Sequence, residues 1–110
     1  MANVLKVLGQ AVPASANTDI DVYTVPSATS ALVSTIVVSN LTDESITAQL
    51  RIRVAGAAAA DKQLIAKNIT IGRSDLEAFT LGIGLATTDV VSFQASTVSC
   101  SCQVFGQEIT

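Results

Sequence analysis

Hydrophobic residues along this chain occur in short runs, and turn-forming residues separate the runs at intervals of about ten positions. Spacing of this kind is typical of β-sandwiches and β-barrels, and no segment has the periodicity of a helix. The pattern predicts strands at positions 4–8, 20–25, 31–40, 46–54, 64–71, 76–81, 90–96 and 99–109. We therefore expect an all-β fold, an antiparallel β-sandwich or jelly roll of about eight strands.

The strand predicted at 46–54 alternates strictly between apolar and polar side chains. Such alternation indicates a half-buried antiparallel strand, with one row of side chains in the core and the other row facing outward. The outward row could simply be solvated, or it could be a contact surface for another protein. This candidate protein-contact face consists of Thr47, Gln49, Arg51 and Arg53.

Three other segments carry specific expectations. The strand at 31–40 has few polar interruptions, which predicts a central strand covered on both faces. The segment Gly56–Ala60 is too short and too close to a glycine to favour a helix, so we expect a loop. The glycines of Gly82-Ile83-Gly84 predict a β-bulge or a tight bend.

The low content of charge adds an expectation about partners. Hydrophobic residues make up 49% of the 110 residues and charged residues only 14%. Typical soluble domains carry about 25% charged residues, so we expect other protein to cover part of the surface, in a homo-oligomer or a larger assembly. The chain has neither a linker nor a repeat of fixed period, which predicts one domain over 1–110. Residues 1–12 form either its first strand or an extended arm that reaches a neighbour.

Charge also bears on nucleic acids and membranes. The net charge is -3, and the six Lys and Arg residues are scattered along the chain. A nucleic-acid-binding protein needs a basic patch, because neutralising phosphates supplies much of its affinity. A membrane-spanning helix needs about 18 or more consecutive apolar residues, and the apolar runs here are much shorter. We expect neither kind of partner.

The residue types needed for catalysis or metal binding are poorly supplied. Histidine is absent, and there is no Gly-x-Ser-x-Gly motif. Cys100 and Cys102 would lie side by side on one face of a strand, where small buried side chains are a better interpretation than a disulfide or a zinc site. Asp19 and Asp21 lack the spacing of a calcium loop and are expected on a solvated strand edge. We therefore expect no enzyme, catalytic residue, metal or cofactor, and a protein that is made in a cytoplasm.

Several short segments, taken together, resemble the small β-sandwich virion proteins of tailed bacteriophages, in particular capsid decoration (cement) proteins. The segments that carry the resemblance are Leu8-Gly9-Gln10, Tyr23-Thr24-Val25-Pro26, Ile36-Val37-Val38-Ser39-Asn40, Gly82-Ile83-Gly84-Leu85, Asp89-Val90-Val91 and Phe105-Gly106-Gln107-Glu108-Ile109.

The resemblance implies an eight-stranded sandwich or jelly roll, commonly a homotrimer, that docks on an icosahedral shell made of a major capsid protein. It carries no catalytic motif to transfer. It leaves open a structural protein of the phage neck, tail or fibre base, bound to another virion protein. A host receptor- or glycan-binding module is a further alternative, although 4% aromatic residues and no Trp supply few rings for stacking on sugars.

Overall fold

The computed structural model describes residues 3–110, which form nine β-strands and two short 3₁₀ turns at Val54–Gly56 and Asp61–Gln63. The strands are β1 (Asn3–Ala11), β2 (Ile20–Thr24), β3 (Ser30–Asn40), β4 (Ile46–Arg53), β5 (Leu64–Ile71), β6 (Leu76–Phe79), β7 (Ile83–Leu85), β8 (Val90–Ala95) and β9 (Cys100–Ile109). The segment 1–12, expected to be a first strand or an arm, therefore contains the strand β1. Residues 1 and 2 of this segment lie outside the described residues.

The strands form two antiparallel sheets that pack as a sandwich, which confirms the predicted fold class. The five-stranded sheet has the order β1-β9-β3-β6, with β7 also paired to β3, and the four-stranded sheet has the order β2-β8-β4-β5. The ninth strand is β7, which forms at the glycine-rich segment expected to be a bulge or bend. Gly82 does make a bend there, with φ of 65°, and the chain then pairs again with β3.

Apolar side chains from both sheets meet in one core between them. The largest fully buried side chains include Phe93, Ile36, Leu50 and Ile71. The prediction that β3 is covered on both faces is wrong for the described chain, since Leu32 and Ser34 on its outer face are exposed. No described element lies over the outer face of the five-stranded sheet at these residues.

Two β-bulges flank one position of β9. The register shifts between Val7 and Gly9 in β1 and between Val33 and Thr35 in β3, on either side of Phe105. Each bulge adds one residue, so the alternation of inward and outward side chains changes phase. Because of this phase change, the apolar side chains of β3 point into the core both before the bulge, at Val33, and after it, at Ile36 and Val38.

Glycine is required where the strands approach most closely. A Cβ atom on Gly106 would lie 2.0 Å from the carbonyl oxygen of Leu32, and one on Gly9 would lie 2.2 Å from the carbonyl oxygen of Val22. Backbone atoms cannot move aside as a flexible side chain can. These glycines therefore set how closely β9 packs on β3 and how closely β1 approaches the other sheet.

The Asn40 side chain joins two turns at one end of the sandwich. Its amide nitrogen lies within 3.2 Å of the carbonyl oxygens of Glu44, Ile71 and Gly72. Its amide oxygen accepts hydrogen bonds from the backbone N–H and the hydroxyl of Thr42, at 2.9 and 2.7 Å. Asn40 is only 3% exposed, so the sequon Asn40-Leu41-Thr42 is closed in the folded chain.

A second group of polar side chains ties the two sheets together at the β1 edge. Glu108 of β9 accepts a hydrogen bond from the Tyr23 hydroxyl of β2 at 2.6 Å. It also forms an ion pair with Lys6 of β1 at 3.0 Å. The Tyr23 hydrogen bond, followed by Lys6, lowers the pKa of Glu108. Burial, followed by the interaction with Glu108, raises the pKa of Tyr23, so its hydroxyl stays protonated as a donor.

We expect Gly106→Ala to lower the free energy of unfolding by about 3 kcal/mol, because the new methyl group overlaps the β3 backbone. Gly84→Ala is the matched control, since nothing lies within 4 Å of its added Cβ, and it should change stability by no more than about 0.5 kcal/mol. Urea unfolding followed by circular dichroism measures both. Equal effects of the two substitutions would contradict the close approach.

We expect Glu108→Gln to destabilise the protein near neutral pH and to have a smaller effect in acid. The pKa of Glu108 is lowered by folding, so its contribution is present above the ordinary carboxyl pKa and is lost as pH falls through the folded value. Thermal unfolding of both proteins from neutral pH downward tests this. A stability difference that stays constant with pH would contradict it.

Candidate protein-contact surfaces

The predicted contact face lies on β4 and is less exposed than its sequence suggests. Ile46, Ala48 and Leu50 point into the core, as the alternation predicts. In the outward row, Thr47 is exposed, Gln49 and Arg53 are half-buried, and Arg51 is only 7% exposed.

Two ion pairs account for the burial of the arginines. Arg51 pairs with Asp19, and Arg53 pairs with Asp21, from the segment that leads into β2 and from β2 itself. The expectation that both aspartates lie on a solvated strand edge is therefore wrong for Asp19, whose side chain is 27% exposed, whereas that of Asp21 is 56% exposed.

The loop after β4 covers the same arginines. Arg51 Nε donates to the carbonyl oxygen of Ala60 at 3.4 Å, and Arg53 donates to that of Ala57 at 3.3 Å. The segment Gly56–Ala60, expected to be a loop, thus folds back over its own strand after one 3₁₀ turn. The role of this face in protein contact stays a prediction, and among its four residues only Thr47 is classed as exposed.

We expect Asp19→Asn to lower the free energy of unfolding by about 2 kcal/mol, because it leaves the buried Arg51 charge without its partner. Asp21→Asn removes the more exposed pair and should cost at most about 1 kcal/mol. Urea unfolding at low and high salt tests the difference. The result would be contradicted if the Asp21 substitution proved the more costly.

The outer face of the five-stranded sheet was not singled out in the sequence, and it has no charged side chain among its described positions. Residues paired directly across antiparallel strands share a face, so the register identifies the outward set. We call this set the uncharged sheet face: Asn3, Leu5, Val7, Gln10, Ser30, Leu32, Thr35, Val37, Ser39, Leu76, Ala78, Gly84, Ser101, Gln103, Phe105, Gln107 and Ile109.

The charges on the same strands fall on the opposite side. Lys6, Glu77 and Glu108 are in register with Gly106, Val38 and Ala31, which belong to the inward rows. The uncharged sheet face is therefore polar only through amides and hydroxyl groups. An alternation search misses it because the two bulges break the period of two in β1 and β3.

The uncharged sheet face carries both a protruding side chain and a depression. Leu5 is 81% exposed, the largest exposed fraction among the exposed apolar residues of the described chain. Leu5 borders an open depression of about 270 Å³, which Leu32, Phe105 and Gln107 also line, together with Lys6 of the neighbouring inward row.

Exposed apolar residues also lie at one end of the sandwich, which we call the loop end and which consists of the loops 12–19, 41–45, 72–75 and 96–99. The backbone N–H of Leu41 donates to the carbonyl oxygen of Ser99 at 3.0 Å, which places Leu41 beside the loop that contains Val98. Leu41 is 61% exposed and Val98 is 45% exposed. The opposite end, where Ala55 N–H donates to Asp89, has the exposed Val54.

The two cysteines are free and buried side by side on β9, which confirms their interpretation as small core residues. Burial raises the pKa of the Cys100 thiol to about 11, and burial with the neighbouring Cys100 raises that of Cys102 to about 12. Both thiols therefore stay protonated and weakly nucleophilic near neutral pH.

Among the side chains that the structure describes, no group of three or more His, Cys, Asp or Glu is arranged to hold a metal ion. The described residues contain no helix long and apolar enough to cross a membrane. A scan against protein-family models gives no match, and no curated protein sequence matches the chain.

Proposed function

We propose that this chain is a structural virion protein that decorates and stabilises the capsid shell of a tailed bacteriophage, acting by binding rather than by catalysis. The segments that resemble decoration proteins support this, and they span nearly the whole chain. The strand order supports it as well. When β6 and β7, which both pair with β3, are counted as one strand, the order of the two sheets corresponds to a jelly roll, a fold used by viral capsid domains.

The observation that carries the proposal beyond this fold-level analogy is the apolar loop end. Single exposed apolar residues are common on monomers, whereas neighbouring ones on adjoining loops mark a binding site. Leu41 and Val98 lie on two loops joined by a backbone hydrogen bond. We place the contact with the major capsid protein at this end.

The surroundings of the loop end fit a protein partner. Asp43, Glu44, Asp75 and Arg73 are exposed on the loops of this end and give the border of the apolar residues a mainly acidic charge. An apolar centre with a polar rim is the usual composition of a protein–protein interface. The acidic border favours a shell surface that presents basic side chains at its rim.

We expect Leu41→Lys to weaken binding to capsid shells about tenfold or more, since it places a charge in the centre of the apolar contact. Val54→Lys is the matched control, because Val54 is equally exposed at the opposite end, at 67% against 61% for Leu41. Co-sedimentation of each purified protein with shells that lack it measures the affinity.

The location is tested by reconstructing the virion with the bound protein. Density on the capsid surface would support the proposal. Density only on the neck, tail or fibre base would overturn it in favour of the other structural roles. Equal loss of binding with the two lysine substitutions would overturn the assignment of the contact to the loop end.

A further inference from the structure

The uncharged sheet face is a large surface that no described part of the chain covers. Leu5 and Val7 of β1 and Leu32 of β3 are all exposed on it. By contrast, the four-stranded sheet has its outward arginines paired with aspartates and capped by the loop after β4. One outer face of the sandwich is therefore closed by the chain itself, and the other is open.

The chemistry of the open face fits a second copy of the same surface. The chain carries a net charge of -3, so two copies repel each other in most orientations. Face to face on the uncharged sheet face, the outward rows bring no charges together, and Lys6, which lines the depression, is already neutralised by its ion pair with Glu108. The Gln10 and Gln103 amides already pair with each other at 3.2 Å, and each keeps unused donor or acceptor capacity, as does the Gln107 amide, for a second copy of the same surface.

The shape and size of the face agree with this occupant. A protruding Leu5 beside a depression provides both halves of a contact on one surface, which is what a twofold interface needs. Over the lengths of β1, β9, β3, β6 and β7, strands about 4.8 Å apart with a rise of about 3.3 Å per residue give a planar face of roughly 600 Å². Side chains add to that area and bring it near the about 800 Å² per partner of a standard interface.

We propose that a second copy of this chain packs its uncharged sheet face against the same face, forming a twofold dimer whose axis passes through the depression beside Leu5 and Leu32. This pairing differs from the homotrimer that the resemblance implies, and it does not depend on the capsid role, because the loop end lies on a different part of the sandwich. A Leu41→Lys protein that no longer binds shells would still form the dimer.

Charge substitution with rescue tests the contact. Leu32→Glu and Leu32→Lys should each weaken self-association about tenfold or more, because like charges then face each other in a dehydrated contact. An equimolar mixture of the two variants should associate again, since opposite charges then meet. Sedimentation velocity over a range of concentrations measures all three samples.

Two controls keep the result interpretable. Thr47→Glu places a new charge on the exposed part of the four-stranded sheet and should leave the dimer intact. If the Leu32 variants do not fold, the same pair of substitutions at Leu5, which is 81% exposed, replaces them. Circular dichroism establishes folding before each measurement.

A dimer that both single variants dissociate and their mixture restores would establish the pairing. A strict monomer at high concentration would overturn it, and so would a trimer. Dissociation without recovery in the mixture would overturn the contact between identical faces, because only such a contact brings the two new charges together.

Discussion

The fold depends on two close backbone approaches, that of β9 to β3 within one sheet and that of β1 to β2 of the other sheet. Gly106 leaves no room for a side chain against the β3 backbone, and Gly9 leaves none against β2. Both bulges occur beside Phe105 of β9, next to Gly106, and each one changes which residues of its strand face the core. The core, the position of Glu108 beside Tyr23 and the composition of the uncharged sheet face all follow from this register.

The sequence predicts the parts of this structure that depend on local patterns. Turn residues and alternation place β4 and β5 within one residue of their observed ends, and the same alternation assigns Leu50 to the core. The bulges are not visible in such a pattern, because they arise where two backbones meet across the sheet. The partner of Arg51 is equally invisible, since Asp19 lies 32 residues away in the sequence. The uncharged sheet face could be found only after the register was known.

The two outer faces of the sandwich differ in how far the chain itself covers their side chains. On the four-stranded sheet, ion pairs and a loop satisfy the polar groups within the chain. On the five-stranded sheet, neutral side chains remain accessible, and the strand predicted to be covered on both faces has only one face covered. A central strand with Leu32 and Val37 on its outer side is the composition expected when another protein completes the packing.

The position of β9 also determines when this domain can assemble. It is the last strand in chain order, yet it lies between β1 and β3 and pairs with both along most of its length. During synthesis, the backbone groups of β1 and β3 that pair with β9 therefore stay unpaired until β9 has left the ribosome. Contacts between such distant parts of a chain form slowly. We expect folding to be a late, all-or-none event, and a chain that stops before β9 would present two open strand edges to the quality-control proteases of the cell.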